Sequence, residues 1–245
     1  MNPNTSNPMG FTVEKARQYL NLGRALPPDS VKPHSYSKTL ALEHGSIAAA
    51  LLLKYLEFCV RKSRPGADGI QRIIRSSAEI SAHYPYLTAS TIAATLKRIP
   101  EGDLRRKRAK SRKTGALSTV YSFADPLFKK SANSDLVYFL PADAEKHGLH
   151  EAVLLHWLRF RIRKKAEKSN PSLYHAVSAT ELAPTLGISR ASISRAIRNL
   201  VDQGVLERNP KRNGKLSEYG IKPPPRPPAL NPPVLNPGNG ALTSG

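Results

Sequence analysis

The sequence predicts an α+β fold, mainly helical with small β segments, in which one module occurs twice. Three observations carry that prediction. A set of apolar and charged residues reappears in the same order about 100 residues later. Apolar residues inside each copy fall at helical spacing, i, i+4, i+7. Each copy closes with two extended segments around a basic loop.

Leu52, Leu53, Leu56, Phe58, Arg61 and Lys62 recur as Leu154, Leu155, Leu158, Phe160, Arg163 and Lys164. His44-Gly45 recurs as His147-Gly148, and Ser76-x-x-Glu79 as Ser178-x-x-Glu181. Ile92, Leu96, Ile99 and Leu104 match Ile193, Ile197, Leu200 and Val205. The copies span roughly 38–125 and 136–222, with a linker over 126–135.

Each copy opens with an apolar helix, 47–61 or 151–165, apolar on nearly every side and therefore central. A polar loop leads to a short extended segment, 71–75 or 173–177. Ser-x-x-Glu then reads as a capping box at the start of a short helix. In copy two that helix ends at Leu186-Gly187-Ile188, where Gly tolerates positive φ. Pro184 lies inside it and predicts a kink or a later start. Thr88 and Ser189 are natural N-caps for a further helix, which buries Ile92, Leu96 and Ile99 or Ile193, Ile197 and Leu200. LSTVYSF at 117–123 and LSEYGI at 216–221 supply the returning extended segments.

Residues 1–37 form an N-terminal segment whose stretch 11–22 predicts a short helix capped by Thr12. Residues 223–245 hold eight of the 21 prolines and read as a disordered tail. Cys59 is the one cysteine, which excludes an intrachain disulfide framework. The polar N-terminus lacks signal-peptide character, and the longest apolar run is seven residues, far short of the ~20 that span a bilayer. The expectation is a cytoplasmic protein with no membrane partner.

Lys and Arg number 38 against 18 Asp and Glu, a formal net charge of +20, with a pI near 10.3. That excess points to a polyanionic partner. At residues 181–221 the sequence resembles a winged helix-turn-helix: helix, Gly turn, second helix, DQGVLER into a strand, basic wing and returning strand. Copy one resembles it more weakly, since its turn reads YPYLTAS without Gly. The segment GLHEAVLLHWL is also similar to winged-helix segments of phage and plasmid replication proteins. The resemblance implies a tandem winged-helix protein that binds double-stranded DNA sequence-specifically in the nucleoid. Its role would be regulation of transcription or replication.

On a helical wheel Arg195, Arg198 and Asn199 fall opposite Ile193, with Ser194 on the flank. Arg suits guanine and Asn suits adenine. Ser189, Arg190 and Ser192 stand near the helix start, where side chains and free amides suit phosphate. Lys211, Arg212 and Lys215 lie in the second wing. Copy one offers Thr88, Ser90, Thr91, Lys97 and Arg98 on its helix, and Arg105, Arg106, Lys107, Arg108, Lys110, Arg112 and Lys113 in its wing. Copy two is thus expected to be the main base reader, with copy one adding phosphate contacts. A third basic cluster, Arg159 to Lys168, ends the second apolar helix, where the helix dipole alone also favours cations. Ordinary solvated helix faces remain the alternative for any of these clusters.

Enzyme signals are weak. Gly214-Lys215 lacks the upstream Gly of a phosphate loop, and His156-Trp157-Leu158-Arg159 sits on the apolar helix. His147-x-x-His150 lacks further metal ligands beyond Glu151. We therefore expect no catalysis, no cofactor and no metal. As alternatives, a replication initiator would bind origin repeats and recruit replication proteins through the N-terminal helix or the Pro-rich tail. A protein-interaction scaffold in a chromosome-organising complex would present neutral or acidic helix faces instead. Two reading units in one chain allow a monomer or a homodimer.

Overall fold

The structure is a computed structural model that describes residues 33–110, 117–123, 135–166, 174–209 and 217–222. In chain order the first elements are β1 (His34–Ser37), α1 (Lys38–Glu43), α2 (Ile47–Lys62), β2 (Ile73–Arg75), α3 (Ser77–His83), α4 (Ala89–Arg98), β3 (Arg105–Lys110) and β4 (Leu117–Ser122). There follow β5 (Leu136–Phe139), α5 (Pro141–His147), α6 (Leu149–Ala166), β6 (Tyr174–Ala176), α7 (Ala179–Leu186), α8 (Arg190–Asp202), β7 (Leu206–Arg208) and β8 (Glu218–Ile221). The fold is α+β with small antiparallel sheets.

Two helices carry the interior. Helix α2 buries Ile47, Leu51, Leu52, Leu53, Leu56 and Val60, and α6 buries Val153, Leu154, Leu155, Leu158 and Ile162. Full burial of one such side chain contributes about 1.5–3 kcal/mol. The core is continuous across both halves of the chain. The starts of the two helices differ chemically. The Ser46 hydroxyl accepts from the Ala49 amide at α2. At α6, Gly148 stands at φ 104°, and a Cβ there would lie 2.6 Å from Glu151 Oε2. The Glu151 carboxylate is folded over the helix start, where the dipole favours a negative charge.

Strands β2, β4 and β3 form one sheet in that order, and β6, β8 and β7 form another. A two-stranded ribbon, β1 with β5, joins the halves: His34 faces Phe139 and Ser37 faces Leu136. Residues 34–37, expected within an N-terminal segment, are thus a paired strand. Around the ribbon, Tyr36 donates to the Leu186 carbonyl at 2.6 Å. Asp135 accepts from the Thr39 hydroxyl at 2.6 Å and from the Ser37 hydroxyl at the start of α1.

Several expectations change. Helix α4 stops at Arg98, and Ile99, expected on its buried face, is an extended C-cap, though still buried. Pro100 disfavours helical geometry at the residue before it. Pro184 neither delays nor breaks α7, which begins directly after Ser178. Its ring is exposed, and its missing amide forfeits one bond near the end of a short helix. Ser76 and Glu79 form the full capping box. At α7 the Ser178 hydroxyl accepts from the Glu181 amide, and the return arm is absent among the described hydrogen bonds. The basic run expected as a loop is strand β3 through Lys110, paired with β4 along its whole length. The helix expected at 11–22 lies outside the described residues, as do Arg112, Lys113, Lys211, Arg212, Lys215, Lys168 and the Pro-rich tail. Among the described residues no helix is long and apolar enough to cross a membrane.

Candidate nucleic-acid interface

Helix α8 is amphipathic. Ile193, Ala196 and Leu200 are buried and Ile197 is half-buried, which turns the opposite side outward. Arg195 and Arg198 are exposed on that outer side, and Arg190 is exposed in the first turn. None of the three belongs to an ion pair among the described residues. The Ser189 hydroxyl accepts from the Ser192 amide at 3.1 Å and donates to the Ser192 hydroxyl at 3.0 Å, so both serines first serve the helix start. Ser194 is half-buried beside Arg195.

The structure places Asn199 in a different role from the expected adenine reader. Its amide donates to Glu151 Oε1 at 2.7 Å. Glu151 is itself buried, so one carboxylate covers the start of α6 and holds α8 in place. His147 Nδ1 bonds Gln203 Oε1 at 2.5 Å and ties the C-cap of α8 to the end of α5, one turn beyond Asn199. His150, beside this latch, is held below the ordinary His value by burial; Glu151 opposes that shift and Arg195 adds to it.

The turn ahead of α8 is pinned by geometry. Gly187 sits at φ 65°, and a Cβ there would stand 2.7 Å from the Lys38 carbonyl oxygen. Left-handed φ and backbone crowding both demand glycine. The corresponding turn before α4, at Tyr84 to Leu87, uses aromatics instead: the Tyr86 hydroxyl bonds His34 Nδ1 at 2.7 Å, and its ring meets Phe139 edge-on at 5.6 Å.

The outer face of α4 is plainer. Ser90, Ala93, Ala94, Lys97 and Arg98 are exposed, and the Thr88 hydroxyl is committed to the Thr91 amide and hydroxyl. Beside it, β3 is an edge strand whose Arg105, Lys107, Arg108 and Lys110 are exposed. Edge strands rich in Lys and Arg resist pairing with other chains, and the same charges suit a phosphate backbone. Arg106 departs from the expected phosphate role. Its guanidinium turns inward and donates to the Leu96 carbonyl and, at 2.9 Å, to the Ile99 carbonyl, closing the C-terminus of α4.

In the third basic cluster, Arg159 pairs with Asp143, and Lys164 lies 4.7 Å over the Phe160 ring. Lys62 lies 4.3 Å over Phe58. Phe58 and Phe160 are 56% and 40% exposed, and each ring is partly covered by its lysine. Sequence reading placed these residues in the repeat and did not see the cation–π pairs, although their i, i+4 spacing on one helix was the available signal. A second feature it missed is a cleft of about 260 Å³ lined by His34, Lys54, Tyr55, Phe58, His83 and Tyr84. It forms between β1, α2 and the end of α3, which meet only through folding.

Among the described residues no three His, Cys, Asp or Glu side chains gather as a metal-binding group. No family model, curated protein or solved structure matches the chain.

Proposed function

We propose that the chain is a tandem winged-helix protein that binds double-stranded DNA sequence-specifically and regulates transcription or replication, with α8 as its main base reader. One observation carries this reading: Arg195 and Arg198 project outward from a helix whose opposite face is locked into the core, with Arg190 exposed at its start. Arg is the side chain that reads guanine bidentately in the major groove. A helix with that face free and its C-terminal turn tied to α5 and α6 is pre-organised for docking. In this reading the antiparallel pairs β3-β4 and β7-β8, which follow α4 and α8 in the chain, serve as the wings. Exposed Arg105, Lys107, Arg108 and Lys110 supply sequence-independent attraction.

The supporting experiment is titration of the full chain against labelled random-sequence duplex at rising salt. Affinity should fall log-linearly with salt, with a slope set by the number of phosphates neutralised. Binding that does not respond to salt, or that favours single strands over duplex, contradicts the reading.

A further inference from the structure

Exchanging each residue of the β1–β5 ribbon for the one 102 places away returns the same register. His34 becomes Leu136 and Phe139 becomes Ser37, and both His34–Phe139 and Ser37–Leu136 are pairs of the ribbon. The inner pairs, Ser35–Tyr138 and Tyr36–Val137, exchange with each other in the same way. An antiparallel pair that maps onto itself so has a local twofold axis through its centre. It is the self-complementary contact that two identical subunits make in a dimer.

Elements beyond the ribbon follow the same exchange. Helices α2 and α6 begin at Ile47 and Leu149, and α3 and α7 at Ser77 and Ala179, each pair 102 residues apart. The turns before α4 and α8 also cross over to the opposite half. Gly187 lies against Lys38 of α1, and Tyr86 lies against Phe139 of β5, close enough to α5 to feel the Glu145 charge. The turn before α8 is thus held against α1 of the first half, and the turn before α4 against both strands of the ribbon, Phe139 of β5 and His34 of β1.

We infer that the chain is an internal pseudo-dimer whose DNA target is one inverted repeat with unequal halves, the strong half under α8 and the weak half under α4. The inference rests on the DNA-binding reading above and adds the polarity of the site. A twofold axis between two readers reverses the second half-site, whereas a translation between them would give a direct repeat. The inequality follows from side chains. Ser194, Arg195 and Arg198 on α8 correspond to Ala93, Ala94 and Lys97 on α4. Alanine offers at most an apolar contact to a thymine methyl; of these three positions Lys97 alone keeps a charged tip, with exposed Arg98 beside it.

The experiment is selection of the full chain on a random duplex pool, followed by the same selection with the A93S/A94R/K97R variant. Wild type should recover an imperfect inverted repeat. The variant should recover a symmetric one and bind a perfect palindrome of the strong half about tenfold more tightly than wild type does. Should the variant not fold, wild type is titrated on duplexes whose weak half is inverted in place or replaced. Inversion should cost as much as replacement. A recovered direct repeat, or a weak half that tolerates inversion, overturns the twofold inference and leaves DNA reading intact. Recovery of no preferred sequence overturns both.

Discussion

The Tyr36 hydroxyl donates to the Leu186 carbonyl across 150 residues of chain, and the tyrosine is fully buried. The bond satisfies a carbonyl at the C-terminus of α7 that the helix itself leaves free. It also fixes the turn from which α8 departs. Tyr36→Phe should lower the unfolding free energy by about 1–2 kcal/mol, read from urea titration, because the carbonyl is left buried without its donor. An unchanged midpoint would mean that the bond has no role in stability.

Gly187 and Gly204 share left-handed φ angles, 65° and 67°, yet differ in surroundings. A Cβ at Gly204 meets nothing within 4 Å, whereas one at Gly187 strikes Lys38 backbone. Gly204→Ala should therefore cost about 1 kcal/mol, the ordinary left-handed penalty. Gly187→Ala should cost clearly more, by thermal or urea unfolding, since the α1 backbone must move. Equal costs would mean that the close approach to Lys38 adds no penalty of its own.

Arg106 and its strand neighbours should separate cleanly. Arg106→Ala strips the Leu96 carbonyl of α4 and the Ile99 carbonyl at its C-cap of their charged donor and should cost about 1–3 kcal/mol of stability while sparing the salt slope of the proposed DNA binding. Arg105→Ala with Lys107→Ala should leave stability within about 0.5 kcal/mol and reduce that slope by about 1 for each phosphate no longer neutralised. The reverse pattern would reassign both groups.

Acid should weaken the fold before any carboxylate titrates. His34, His150 and His156 are each held below the ordinary value of 6.5, chiefly by burial; the His83 charge adds to this at His34, and Arg159 at His156. Below 6.5 the unfolded chain takes up these protons before the folded one does, so stability falls as pH drops toward about 5 and is flat above about 7.5. His34→Gln combined with His156→Gln should make that decline shallower in urea titrations at a series of pH values. A decline of unchanged steepness would place the acid sensitivity elsewhere.

Much of the local grammar was legible in the sequence because it acts over three or four residues. Ser76, Thr88 and Ser189 cap the helices they precede, and the i, i+4, i+7 spacing finds the buried faces of α4 and α8. The end of α4 was also within reach, since Pro100 is visible in the sequence. What escaped depends on distant partners. A wheel shows Asn199 away from Ile193 and says nothing of Glu151, 48 residues upstream. Arg106 turns inward where its register sets it opposite buried Tyr121 and within reach of the Leu96 and Ile99 carbonyls, whereas Arg108 and Lys110 on the same face stay exposed; a basic run of this kind reads as loop until β3 is paired. The strand HSYS has little apolar alternation, and its pairing owes everything to β5.

The proposed division of labour on α8 gives base reading to the arginines and leaves Asn199 only to hold the helix. Selection of the full chain on a random duplex pool, sequenced for wild type, Arg195→Ala and Asn199→Ala, is its sharpest test. Arg195→Ala should relax preference at one or two positions and cost about 1–3 kcal/mol at the preferred site. Asn199→Ala should weaken binding evenly and leave the recovered motif unchanged. A motif that survives Arg195→Ala intact but changes with Asn199→Ala would contradict that division.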